Sequence, residues 1–348
     1  DDKRKMLSKK EALKIEPLLP ENILKGAGYY AEYRTDDARL TLELIKTSLR
    51  YGAKPLNYLE VTDFLYENTR VSGAKVKDTL TNKVFDIKSK YVVNATGPWV
   101  DGLRQKNQSS ANKKLRLSKG VHLVVNHDRF PINQSVYFDI PDGRMMFAIP
   151  RGGSTYFGTT DTNYQENKND VRTSLVDAMY LISAVNNMFN GVSISINDIK
   201  SSWAGLRPLI HEEGKPASEL SRKDEIYVSN TELISIAGGK LTGYRKMAER
   251  IVDLINKKYL RRFSKVFEKV KTEKIVLSGG SFTNHQEVLS YIKTIQERIT
   301  KLGFEEKIAA YFVYNYGKQT DVILTKFNKL TDVDIEQRMI KAEVWFSI

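Results

Sequence analysis

The chain has 348 residues, no cysteine, 41% hydrophobic residues and 55 Lys plus Arg against 42 Asp plus Glu, a formal charge of +13. This is ordinary globular composition, long enough for two domains, and the lack of cysteine excludes disulfide staples, zinc fingers, thiolate catalysis and iron–sulfur ligation together. No apolar run approaches the roughly 18 residues that a membrane-spanning helix needs.

The start, Asp1-Asp2-Lys3-Arg4-Lys5, is neither an initiator Met nor a signal peptide, so the chain reads as a soluble, cytoplasmic piece of something longer. Ser8 stands three residues before Glu11, the spacing of a capping box, and predicts a short helix within residues 8–19 that ends before Pro17. A stronger helix opens at Tyr33-Arg34-Thr35-Asp36-Asp37-Ala38-Arg39-Leu40, with Leu40, Leu42, Leu44, Ile45 and Leu49 as its apolar face and Gly52 as its stop. Alternating runs at residues 58–61, 74–78 and 84–88, set apart by Val71-Ser72-Gly73 and Thr81-Asn82, predict a three-stranded meander. Residues 91–99 form a short apolar strand that runs into a Gly-Pro turn.

Strands are expected at residues 121–125, 135–139, 144–149 and 155–160, the last two joined by a hairpin loop at Pro150-Arg151-Gly152-Gly153-Ser154. Residues 175–188 are helical by periodicity, and residues 192–196 and 203–206 return to strand. The strand at 233–237 passes through a Gly-Gly turn into a helix with Met247, Ala248, Ile251, Val252 and Ile255 on one face. Beyond Gly279-Gly280 the pattern is helical, with Val288, Ile292 and Ile295 at helix spacing and a further stretch at 308–314. The expected division is therefore 1–278 and 279–348.

The basic surplus admits a nucleic acid, an anionic membrane surface or an anionic small substrate. Lys and Arg are scattered, with only short clusters such as Lys257-Lys258 and Arg261-Arg262 and no aromatic–basic signature, so no nucleic-acid partner is expected. In Ile236-Ala237-Gly238-Gly239-Lys240-Leu241-Thr242, a strand ending in two glycines before a helix offers free N–H groups and Lys240 to an anion, or is a plain strand-to-helix turn. It is no Walker A loop, since Ile234 and Leu241 stand where that motif requires Gly and Ser or Thr. Arg207, between Leu206 and Pro208 near a buried-looking Trp203, together with Arg222 and Lys240, has the forked charge for a phosphate or carboxylate; a structural ion pair would explain Arg207 equally well. The four histidines, His122, His127, His211 and His285, are too dispersed for a metal site, and none is expected. His122, on an otherwise apolar strand, is either a satisfied core residue or a catalytic base. Gly158-Thr159-Thr160-Asp161 is either a turn or a row of hydroxyls facing a ligand.

The segments Thr35-Asp36-Asp37-Ala38-Arg39-Leu40, Val93-Asn94-Ala95-Thr96-Gly97-Pro98-Trp99-Val100-Asp101, Gly158-Thr159-Thr160-Asp161, Ala204-Gly205-Leu206-Arg207-Pro208-Leu209 and Gly238-Gly239-Lys240-Leu241-Thr242, in this order, resemble the FAD-dependent glycerol-3-phosphate dehydrogenases. The resemblance implies an α+β chain of the glucose-oxidoreductase-like FAD-dependent fold. Residues 1–278 would be a partial FAD-dependent oxidoreductase domain, a FAD-side meander and helices plus a large antiparallel substrate-domain sheet, and residues 279–348 a truncated helical C-terminal domain. The family's N-terminal G-x-G-x-x-G motif is absent from the sequence. By resemblance, Ala95, Thr96, Gly97, Trp99, Gly238, Gly239, Lys240, Leu241 and Thr242 bind FAD, Arg207, Arg222 and Lys240 hold sn-glycerol 3-phosphate, and His122 and Arg207 are catalytic. The implied reaction oxidises the C2 alcohol to give dihydroxyacetone phosphate, with hydride passing to FAD. The short link between Leu209 and Ser221 is similar to the dehydrogenase branch, whose electrons go to membrane quinone, and a basic surface would dock peripherally on the anionic inner face of the cell membrane. A homodimer is compatible with the resemblance. The alternatives are a glycerophosphate oxidase or an amine or hydroxy-acid oxidase of the same superfamily, or a non-catalytic fragment.

Overall fold

The computed structural model describes residues 4–33, 35–109, 114–210, 224–330 and 334–347. The chain opens with strand β1 (Lys5–Ser8) and helix α1 (Lys9–Ile15), and β2 (Gly26–Tyr29) returns antiparallel to β1. The capping box forms: Glu11 N donates to Ser8 Oγ at 3.4 Å and Ser8 N to the Glu11 carboxylate at 2.8 Å. That satisfies donors that a helix start would otherwise leave open. The two four-residue strands are too short to show an alternation in sequence.

Helix α2 (Asp37–Arg50) begins at Asp36, whose carboxylate accepts from Arg39 N at 3.0 Å. Its buried residues are Glu43 and Thr47, whereas Ile45 and Leu49 of the expected apolar face are exposed. The reason is polar: Glu43 pairs with Arg39 and accepts from Gln319 Nε2 at 2.9 Å, while Ser278 N donates to Thr47 Oγ1 at 3.0 Å. A buried carboxylate must find such partners, and these decide which face is covered.

The meander forms as the alternation predicts, β3 (Leu59–Glu67), β4 (Arg70–Asp78) and β5 (Val84–Lys88) pairing antiparallel in that order. Strand β6 (Val93–Asn94) leads through a 3-10 turn at Gly97–Trp99 into α3 (Val100–Lys106). Next comes the large sheet, made of β7 (Leu115–Asn126), β8 (Val136–Asp139), β9 (Met145–Arg151), β10 (Ser154–Gly158), β11 (Thr162–Asn163) and, after helix α4 (Leu175–Met188), β12 (Ile199–Ile210). All its pairs are antiparallel; the order is β11-β7-β10-β9-β8, with β12 running beside β7.

One face of this sheet is core. Val121, Leu123 and Val125 alternate into a cluster with Phe130, Phe157 and the α4 residues Leu181, Ile182 and Val185. The expected strand at 192–196 does not form, although Val192 and Ile194 are buried in the same cluster. Its alternation reports burial, and Asn186 takes the place of a neighbouring strand: its amide accepts from Ile194 N and donates to Ile194 O, both at 2.8 Å. Strand β13 (Asp224–Val228) pairs antiparallel with β14 (Ile234–Gly238), which pairs parallel with β6. Helix α5 (Tyr244–Phe263) follows, its Ile251 packing with Ile234 and Ile236.

The C-terminal region is helical as expected: α6 (His285–Lys301), α7 (Lys307–Tyr316), α8 (Thr320–Lys329) and α9 (Ile335–Ser347), with Ile295, Ile299, Phe312, Ile323 and Phe327 in its core. Two compact units result, residues 1–32 with 58–265 and residues 33–57 with 266–348. This differs from a single cut after residue 278, because α2 joins the later helices through Glu43 and Thr47.

Candidate functional site

The pleat that sends Val121 and Leu123 into the core puts His122 on the opposite face of β7, so it is not part of the α4-side core. Trp203 of β12 lies directly across from it, and the two rings stack with centroids 4.8 Å apart and 15° between planes. Phe147 of β9 closes another side at 5.3 Å. Trp203, read in sequence as buried, is 46% exposed. His122 Nδ1 is buried and has no hydrogen-bond partner. Burial, and secondarily the Arg207 charge, push the imidazole down to about 4, so it is neutral near pH 7.

Arg207 shares this face. It stands opposite Ser118, and its guanidinium donates to Thr159 Oγ1 at 2.7 Å and to Thr160 O at 3.1 Å, with Asp161 Oδ1 at 3.8 Å. Gly158-Thr159-Thr160-Asp161 is thus the seat of Arg207: Thr160 Oγ1 is tied to Val121 N at 3.0 Å and Lys119 O at 3.1 Å, and Ser118 donates to Asp161. The motif stands out in sequence, but nothing in the sequence marks Arg207 as its partner or Gly120 as the residue over which the guanidinium lies.

The second group of residues lies at the carboxyl ends of two adjacent parallel strands. Because β6 and β14 pair with Val93 beside Ile234 and Asn94 beside Ser235, Ala95 to Trp99 and Gly238 to Thr242 leave the sheet side by side, where open α/β sheets hold ligands. Asn94, 2% exposed, fixes the first turn: its amide donates to Val100 O at 2.9 Å and Ser235 Oγ at 3.3 Å and accepts from Thr96 Oγ1 at 2.7 Å. In the second turn Gly238 and Gly239 have φ of 78° and 83°, and a Cβ on Gly239 would meet Met247 Sδ at 2.8 Å, so the chain turns in a way side chains resist. The helical segments starting at Gly97 and Leu241 carry no side-chain cap, and exposed Trp99 and Leu241 stand beside them. Uncapped N–H groups next to apolar surface suit a cofactor with phosphates and an aromatic ring. Trp99 Nε1 donates to Asn169 Oδ1 at 3.0 Å, and Lys240 is exposed.

Strand β12 packs near both β14 and the Gly97–Trp99 turn. Arg222 and His211 lie outside the described residues. His127 is a structural residue whose Nδ1 is 3.1 Å from Thr155 Oγ1. Among the described residues no group of three acidic or histidine side chains is placed to hold a metal.

A family model described as FAD dependent oxidoreductase matches residues 1–245. An aerobic glycerol-3-phosphate dehydrogenase of Bacillus subtilis (strain 168) is 48% identical over 350 residues, covering 100% of this chain and 63% of that protein. The X-ray structure of a glycerol-3-phosphate dehydrogenase from Bacillus halodurans, complexed with FAD, superposes with a TM-score of 0.89 at 44% identity, covering 99% of this chain and 67% of the other. An L-alpha-glycerophosphate oxidase from Mycoplasma pneumoniae, 21% identical with a TM-score of 0.59 over 73% of this chain and 64% of that one, shares the fold. The chain spans about six-tenths of the length of the curated relatives it matches.

Proposed function

Since the chain belongs to the FAD-dependent oxidoreductase family, we propose that it is the substrate-side part of an enzyme that oxidises sn-glycerol 3-phosphate to dihydroxyacetone phosphate. The unit of residues 1–32 and 58–265 would carry FAD and substrate, and the helical unit would be its C-terminal domain. The observation that carries the reading is the pairing on one sheet face of a fixed guanidinium, Arg207, with a neutral histidine, His122. Identity of 48% along the whole chain to an aerobic glycerol-3-phosphate dehydrogenase supports the substrate.

FAD, when bound by Ala95, Thr96, Gly97, Trp99 and the Gly238 to Thr242 turn, supplies the hydride acceptor. The work of this chain's own residues follows from their charge and placement. Arg207, with Lys240 and Arg222, holds the phosphate and so fixes where the C2 hydroxyl lies. His122, uncharged near pH 7, has a ring nitrogen able to take the hydroxyl proton as C2 becomes a carbonyl. The Arg207 charge disfavours the imidazolium so formed, so the ring gives that proton up to water. Electrons pass on to membrane quinone, with the protein docked peripherally on the inner face of the cell membrane.

The test is a visible spectrum of the purified chain supplied with FAD, taken before and after anaerobic addition of sn-glycerol 3-phosphate. Bleaching by this substrate, and not by glycine, L-proline or 2-hydroxy acids, is the expected result. Bleaching by a carboxylate substrate alone would make Arg207 a carboxylate anchor and replace the reading.

A further inference from the structure

The Arg207 guanidinium lies directly over the backbone of β7. A Cβ built on Gly120 would sit 2.4 Å from Nη2 and 2.6 Å from both Cζ and Nη1, inside any allowed contact. The requirement is specific to that side of the pair, because a Cβ on Gly205, opposite Gly120 in β12, would have nothing within 4 Å. From the other direction Thr159 Oγ1 accepts from Nη2 at 2.7 Å, and Thr159 Oγ1 itself bonds Thr160 O at 3.1 Å, so the hydroxyl is oriented before it receives the guanidinium. A Cβ at residue 120 would therefore push the guanidinium off this seat.

We propose that Gly120 and Thr159 are positioning residues that fix the plane of the Arg207 fork and thereby set how tightly the site holds an oxyanion substrate. The inference rests on the reading of Arg207 as the anion anchor. A planar fork recognises tetrahedral or carboxylate oxygens through parallel hydrogen bonds, and that geometry is lost when the plane tilts. Holding the plane before the ligand arrives removes an entropy cost from binding.

Two readouts separate this role from a merely structural one. The first is the titration of His122, followed by NMR of labelled imidazole in the FAD-loaded enzyme, because the guanidinium charge acts on that ring. Gly120→Ala should raise it by about half a pH unit or more. Arg207→Ala should do the same, and the double variant no more than either alone. The second is steady-state kinetics with sn-glycerol 3-phosphate, where Gly120→Ala should cut kcat/KM by about tenfold or more, chiefly through KM, and add little in an Arg207→Lys background. Thr159→Val, which keeps the shape and loses the acceptor, should act in the same direction, and Thr159→Ser should restore the wild-type values; these two carry the test if Gly120→Ala does not fold. Wild-type titration and KM in both Gly120→Ala and Thr159→Val, or effects that add fully to those of Arg207→Ala, overturn the proposal. A shifted His122 titration together with an unchanged KM in Arg207→Ala would uphold the clamp and remove the substrate reading.

Discussion

Unfolding returns His122 to water and an ordinary value of 6.5, whereas the folded chain holds it at about 4, first through burial and then through Arg207. Between those two pH values the unfolded chain takes up a proton that the folded chain refuses. Stability from this residue is therefore complete above pH 6.5 and is lost as pH falls toward 4, by up to about 3 kcal/mol. His122→Gln, which cannot titrate, should flatten that part of the melting temperature against pH, and an unchanged acid limb would assign it to other groups. Both His122 and Arg207 stand out in sequence because each is polar amid apolar neighbours. Their supports do not. Gly120, Thr159 and the stacking Trp203 acquire their roles from the register of β7 with β12 and from the loop after β10, pairings between segments far apart in the chain. A sequence shows that a residue is unusual before it shows what the residue touches.

Helix α4 lies where its periodicity predicts, and its start shows how an element is tied to the sheet beneath it. Asp177 is 6% exposed; it caps Ser174 N at 2.9 Å and pairs with Lys119 of β7 at 2.6 Å. Removing one member of a buried pair strands the other charge, so Asp177→Ala should cost about 3 kcal/mol in denaturant unfolding. Asp177→Leu combined with Lys119→Met should recover most of that loss, because both desolvated charges then go together; equal destabilisation in the double variant would point to the helix cap instead. Elements with a strong period and a clear stop, such as α4, the meander and the last helices, are legible in sequence because local pattern and tertiary burial agree. Where they part, the reading fails for a physical reason. The leucines of α2 give way to Glu43 and Thr47 because the surface they meet is polar, and residues 192–196 bury alternate side chains while Asn186, not a strand, satisfies their backbone.

At the scale of the whole chain the same tension separates contiguity in sequence from contiguity in space. A single cut follows composition, yet residues 33–57 group with the C-terminal helices, since the polar partners that α2 needs lie at Ser278 and Gln319. The family is legible from short motifs because those motifs hold backbone turns, at Asn94 and at Gly238-Gly239, that few other residues could form. Net charge works on a longer range. Among the described residues no helix is long and apolar enough to cross a membrane; if the proposed docking on the membrane takes place, a formal charge of +13 would attract the chain to anionic lipid. Such attraction is screened within about 10 Å at 0.1 M salt and about 3 Å at 1 M. The protein should therefore sediment with phosphatidylglycerol vesicles at low salt, be released at high salt, and ignore phosphatidylcholine vesicles throughout. Binding that survives high salt on neutral vesicles would mean apolar insertion in place of charge, and no binding at low salt would remove membrane docking while leaving the roles proposed for His122 and Arg207 untouched.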